Sequence, residues 1–149
     1  MKLRNIFLRN MIYVIVFISI FVGTNSFSNG DYTKGLREIM KYGVIPLGLS
    51  SAIRHIFFGG DITKGGRFFE FECGGINLAL TIAAALAVFK EMNNDVFGII
   101  FLIYSIYLFM GSIAWYLFHP KDKILLWLLK FWSIAGAFAY FSYIGFTNY

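Results

Sequence analysis

The chain has 149 residues, of which 58% are hydrophobic, 20% aromatic and only 14% charged, with a mean hydropathy of +0.69. A soluble domain of this size keeps much of its surface in water and carries about 25% charged residues, so the composition argues against an ordinary soluble fold and points to lipid as the place for the excess apolar surface. The formal net charge is +5 and the pI near 9.4, but the cations fall between hydrophobic runs and build no basic face, which argues against nucleic-acid binding.

Five long apolar stretches follow one another, and each is near the roughly 17–25 residues that a membrane-crossing helix needs. The first runs from Ile6 to Gly23. Lys2, Arg4 and Arg9 precede its apolar core, and Gly23-Thr24-Asn25-Ser26-Phe27-Ser28 follows. That pattern suits a signal peptide cut near Ser26 or Ser28 and equally an uncleaved first helix. The second stretch runs from Ile39 to Phe58, the third from Cys73 to Phe89, the fourth from Val96 to Phe118 and the fifth from Ile124 to Phe146. Polar or glycine-rich breaks lie at Thr24 to Glu38, Gly59 to Glu72, Lys90 to Asp95 and His119 to Lys123. A backbone in lipid must satisfy its own hydrogen bonds, so the runs read as helices, and the short breaks predict antiparallel neighbours.

The expected architecture is therefore all-α: a polytopic transmembrane helix bundle of about five helices, four if the first is removed, forming one integral membrane domain over residues 1–149. With the N-terminus in the cytoplasm, Lys2, Arg4, Arg9, Arg54, Lys64, Arg67, Lys121 and Lys123 lie inside, against Lys34, Arg37, Lys41 and Lys90 outside. That asymmetry follows the positive-inside rule and predicts an inner-membrane protein with its C-terminus outside. Trp115, Tyr116 and Trp127 fall toward helix ends, where amphipathic rings prefer the interface. No internal repeat is present, so an inverted-repeat transporter is not supported.

Two groups of residues invite a role. Gly75, Ala79, Ala83 and Ala87 recur every four residues in the third stretch and share one helical face. Small residues so spaced let helix backbones approach closely, within this chain or between copies. The second group is polar: Arg54 and His55 end the second stretch, and Glu70, Glu72 and Asn77 open the third, on the same side of the membrane. Glu70 and Asn77 are two turns apart on one face, whereas Glu72 sits about 160° from Glu70. Polar groups at that depth are costly and face a bundle or a cavity. The group reads either as a small ligand site, with His55 exchanging protons near neutral pH, or as a closure in which Arg54 pairs with Glu70 or Glu72.

Other features are weaker. Gly59 to Gly66 lacks the Lys-Ser or Lys-Thr that a phosphate loop places after its last glycine, and it reads as a surface turn. Lys130 has a stem long enough to snorkel to the inner interface. Tyr104 and Tyr107, beside Ser105, read as packing, and His119-Pro120-Lys121-Asp122-Lys123 as a helix stop and turn. Cys73 is the sole cysteine, so no intramolecular disulfide forms. No C-x-x-C or H-E-x-x-H motif is present, and nothing in the spacing demands a metal. No cofactor is identified.

The stretch Phe69-Glu70-Phe71-Glu72-Cys73-Gly74-Gly75-Ile76-Asn77-Leu78-Ala79 resembles a segment of small prokaryotic membrane proteins of unknown function, in which an F-Q-x-E-x-G-x-x-N-L-A pattern opens a transmembrane helix. Those proteins carry a G-H-x-F segment shortly before it, similar to Arg54-His55-Ile56-Phe57. By that resemblance Glu72, Gly74, Asn77 and His55 take the pattern's E, G, N and H positions, while Glu70 stands for its glutamine and Arg54 for its glycine. A second histidine with an acid late in the fourth helix has no counterpart, since Gly111 and Ser112 occupy that region. The order of helices is loosely similar to DoxX-like four-helix membrane proteins, some of which are tied to quinone or thiol redox work. The resemblance implies a fold and assigns no activity.

The functional expectation is a non-enzymatic membrane component that binds a small ligand, ion or lipid, or serves as a subunit of a membrane complex, through His55, Glu70, Glu72, Asn77 and Arg54. The alternatives are a redox or lipid/quinone-handling enzyme subunit, and a structural or assembly protein that forms a homo-oligomer.

Overall fold

The computed structural model describes residues 2–58, 66–118 and 124–148. Among these residues the chain is all-α, with no strand. The helices are α1 (Lys2–Ser28), α2 (Tyr32–Ile39), α3 (Ile45–Phe58), α4 (Gly66–Phe89), α5 (Asn94–Phe118) and α6 (Ile124–Thr147). A π-helical turn, Met40–Val44, joins α2 to α3 without a break, so the second rod is continuous from Tyr32 to Phe58. The chain divides into two compact units, Met1–Met92 and Asn93–Tyr149.

Two polar breaks are shorter than the sequence pattern suggests. The segment Thr24 to Glu38 is almost wholly helical, because α1 continues through Ser28 and α2 starts at Tyr32. The turn between them is a tight helix stop. Gly30 takes φ +79°, its N–H donates to Phe27 O (2.9 Å), and Asp31 N–H donates to Ser26 O (3.0 Å). Those two bonds satisfy carbonyls at the end of α1. The Asp31 carboxylate then accepts from Lys34 N (3.0 Å) and caps α2. In the same way α4 begins by Gly66, so Glu70 and Glu72 are helical rather than part of the connection. The glycine-rich turn at 59–65 and the segment 119–123, including His119, lie outside the described residues, as do the side chains of Arg67, Trp115, Trp127 and Lys130.

In the first unit α1 lies antiparallel on the second rod, and the two come close at small residues. A Cβ on Gly23 would run into Ile39 and reach within 2.9 Å of Gly35 O, while one on Gly35 would run into the Phe27 ring. One turn further along, Ser19 fills the space over Gly43. The π turn has a local cause. Its closing bond runs from Ile45 N–H to Met40 O, five residues back, and the next residue is Pro46. Proline has no N–H, and its ring crowds the carbonyl four residues earlier; a widened turn makes room for it. On the other side α4 packs against α3.

The second unit is the antiparallel hairpin of α5 and α6. Its core is aromatic: Phe97, Phe101, Tyr104, Phe138 and Phe141 are all buried, with the Phe101 ring 5.4 Å from Phe138 and 5.5 Å from Phe141. At one end the helices nearly touch, since a Cβ on Gly145 would come within 2.7 Å of Asn94 O and 2.8 Å of Gly98 Cα. Asn94 Nδ2 donates to Asn148 O (2.6 Å) there. Further along, Ser105 Oγ donates to Ala135 O and Trp132 Nε1 to Ser112 Oγ, both at 2.8 Å. An open groove of about 420 Å³, almost entirely apolar, lies beside these bonds between Phe109, Met110, Trp132 and Gly136.

Every helix also carries large apolar side chains on its outer face. They include Val14, Ile18 and Phe21 on α1, Leu49, Ile53 and Phe57 on α3, Ile82 and Leu86 on α4, Ile103 and Met110 on α5, and Tyr140 and Tyr143 on α6. Two helical segments among the described residues, Glu70–Phe89 and Asn94–Ala114, are long and apolar enough to cross a membrane.

Candidate functional site

The site is set by where α4 meets α3. Gly74 sits directly on the second rod: a Cβ there would lie 2.6 Å from Ile56 Cγ1, 3.2 Å from Ile56 N and 3.3 Å from Ala52 O. Residues one and two turns from a helical position share its face. Glu70, one turn before Gly74, and Asn77, about one turn after it, are therefore carried into the same seam. Glu70 is 1% exposed and Asn77 3%. On α3, His55 precedes Ile56 and meets Glu70 at the end of the seam.

Glu70 Oε2 and His55 Nδ1 are 3.7 Å apart, and the two side chains are 1% and 13% exposed. This is an ion-pair separation longer than a hydrogen bond. His55 Nδ1 is buried and makes no hydrogen bond among the described residues. Asn77 Nδ2 donates to Cys73 O of its own helix (2.8 Å), and the Asn77 backbone O accepts from Thr81 Oγ1 (2.7 Å). Cys73, the sole cysteine, is half-buried and in no disulfide within the chain.

Of the five polar residues singled out in the sequence, the structure joins His55 and Glu70 and puts Asn77 on the same buried face. Arg54, beside His55 in the chain, is half-buried. Glu72 is exposed and turns away from the pair, since helical residues two apart point about 160° from each other. The small-residue face differs as well. Gly75, Ala79 and Ala83 are exposed, nothing lies within 4 Å of a Cβ placed on Gly75, and of this set Ala87 alone is buried. The close approach within the unit is made one residue earlier, at Gly74. Tyr104 belongs to the aromatic core.

Sequence reasoning passed over three features. The seam of Ser19 and Gly23 against Gly35 and Gly43 was visible as four- and eight-residue spacings, but its Gly35 lies in the segment taken for a polar break. The π turn had Pro46 as its signal. The third is the ion pair of Arg37 Nη1 with Glu91 Oε1 (3.2 Å), which fastens the start of the second rod to the turn after α4. It places those two points at one end of the unit, opposite the His55–Glu70 end.

Chemically, an imidazole beside a buried carboxylate can hold a proton between them or accept a hydrogen-bond donor or cation. Among the described residues no group of three or more His, Cys, Asp and Glu side chains is arranged to hold a metal. Compared with models of protein families, with curated proteins and with solved structures, the chain matches none.

Proposed function

We propose that the chain is a multi-pass integral protein of the cell's inner membrane, N-terminus in the cytoplasm and C-terminus outside. In this reading the His55–Glu70 pair, with Asn77 in the same seam, binds a small ligand, ion or lipid group at the cytoplasmic ends of α3 and α4. The observation that carries the site is the near-complete burial of the Glu70 carboxylate 3.7 Å from His55 Nδ1. An ionisable pair at that depth costs several kcal/mol to desolvate, and packed apolar residues of similar volume often do as well or better for stability. Ionisable side chains in such helices ordinarily mark binding or transport sites. The unmet hydrogen-bonding capacity of His55 Nδ1 leaves the pair able to engage something further.

The membrane half of the reading rests on the apolar side chains exposed on every helix, since soluble proteins rarely expose large contiguous apolar patches. Charge supports the orientation. Lys2, Arg4, Arg9, Arg54, Lys64, Arg67, Lys121 and Lys123 fall in the proposed cytoplasmic segments, against Lys34, Arg37, Lys41 and Lys90 at the proposed outer turns. A second reading, as a subunit of a homo-oligomer or membrane complex, is favoured by the exposed Gly75, Ala79 and Ala83.

Native mass spectrometry from mild detergent, after an alkaline carbonate wash of the membranes, tests both halves. The chain is expected to stay with the washed membranes. It is also expected to carry a reproducible extra mass that Glu70→Gln removes and Glu72→Gln keeps. Release by carbonate would remove the membrane reading. A ligand-free wild-type spectrum, or an adduct that survives Glu70→Gln, would remove the site, and the same spectrum counts the copies in the assembly.

A further inference from the structure

At the opposite end of the first unit, three cations line one face of the second rod. Lys34, Arg37 and Lys41 are spaced by three and four residues, so they stack on one side of the helix, away from the buried Gly35, Leu36 and Ile39. The acids nearby are already engaged. Asp31 caps the helix by accepting from Lys34 N (3.0 Å). Glu38, half-buried, accepts from Ser26 Oγ (2.9 Å). Glu91 takes Arg37 Nη1. No carboxylate among the described residues forms an ion pair with the ammonium of Lys34 or Lys41. Lys41 Nζ stands 5.0 Å from the centre of the Tyr42 ring, and Arg37 Nε has no acceptor among the described residues.

Below the cations the rod carries exposed apolar side chains. Leu49, Ile53 and Phe57 follow Lys41 at eight, twelve and sixteen residues and are 43%, 44% and 69% exposed. A cationic end above an exposed apolar length of the same rod has the polarity of a phospholipid lying against it. A second copy docking on this face would set the cations against one another, which costs energy.

We propose that this part of the rod is a binding site for an anionic phospholipid, with Lys34, Arg37 and Lys41 holding the headgroup phosphate and Leu49 and Ile53 lying along an acyl chain. The site rests on the membrane reading above and is independent of the His55–Glu70 site. Two ammonium groups and a guanidinium suit phosphate oxygens.

The test uses the full chain in nanodiscs of phosphatidylglycerol or of phosphatidylcholine, released into native mass spectrometry. Wild type is expected to retain phosphatidylglycerol at least tenfold more than phosphatidylcholine. The pair of substitutions Lys34→Gln and Lys41→Gln, which leaves the Arg37–Glu91 contact in place, is expected to abolish that preference. Lys121→Gln with Lys123→Gln, in a proposed cytoplasmic segment, is expected to keep it. Helix content by circular dichroism checks that each variant is folded. Equal retention of the two lipids by wild type, or an unchanged preference in folded Lys34→Gln/Lys41→Gln, would overturn the proposal. Displacement of the lipid by millimolar inorganic phosphate would make the site one for free phosphate and overturn it too. A chain that carbonate releases from membranes fails the membrane reading, whereas a membrane-retained chain without the preference fails this proposal alone.

Discussion

Adding one methyl group at Gly74, and separately at Gly75, isolates the contact that builds the candidate site. The two positions are adjacent in the same helix, so the helix-propensity gain on replacing glycine by alanine, about 1 kcal/mol, is common to both. They differ in what the methyl meets. At Gly75 nothing lies within 4 Å, whereas at Gly74 the new carbon would stand 2.6 Å from Ile56 Cγ1 and 3.2 to 3.3 Å from backbone atoms of Ile56 and Ala52. The Ile56 side chain can turn aside, but the backbone atoms move only if α3 and α4 separate. Overpacking of this kind costs about 1–3 kcal/mol. Gly75→Ala is therefore expected to gain up to about 1 kcal/mol, and Gly74→Ala to fall about 1–3 kcal/mol below it, a factor of about 5–150 in the unfolding equilibrium. Denaturation in mixed micelles measures the difference. A second readout is local: Cys73, the only thiol and next to Gly74, is expected to react faster with a maleimide in Gly74→Ala than in Gly75→Ala. Equal stability and equal thiol reactivity of the two variants would refute the seam and, with it, the placement of Glu70 against His55.

The hairpin of α5 and α6 makes a parallel case. Gly145→Ala would push a methyl onto Asn94 O and the backbone of Gly98, which no rotamer change relieves. It is expected to destabilise by about 1–3 kcal/mol, while Gly136→Ala, with nothing within 4 Å, is expected to be neutral or stabilising. Glu91 adopts φ +50°, a left-handed conformation that costs a residue with a Cβ about 1–2 kcal/mol. Its ion pair with Arg37 is exposed on the Glu91 side, at 74%, and such pairs contribute about 0.2–1 kcal/mol. The backbone term is the larger, so Glu91→Gly is expected to be neutral to stabilising by about 1 kcal/mol, and Arg37→Gln to cost less than 1 kcal/mol, in the same titration.

The sequence by itself determined the class of structure: helical rods, in the order in which the apolar runs follow one another. Hydrophobic run length and the need to satisfy every backbone hydrogen bond suffice for that, and neither depends on which helix lies beside which. It also determined that Glu70 and Asn77 share a face and that Glu72 does not, because helical phase is local geometry. What only the tertiary structure decided is which face is the inner one. The apolar positions of α4, α5 and α6 run nearly all the way round each helix, so no polar side marks the outward direction as it does in a water-soluble amphipathic helix. Gly75-Ala79-Ala83 and Gly74-Asn77 are then equally plausible seams until α3 is seen against one of them. The pairing of His55 with Glu70 follows from that choice, since a rotation of α4 by one residue, about 100°, would carry Glu70 out of reach. The tight seam of α1 with the second rod was lost for a related reason: Tyr32 to Glu38 carries charge on one side only, and a segment read by its charges looks like a loop, whereas its buried Gly35, Leu36 and Ile39 make it the start of a helix.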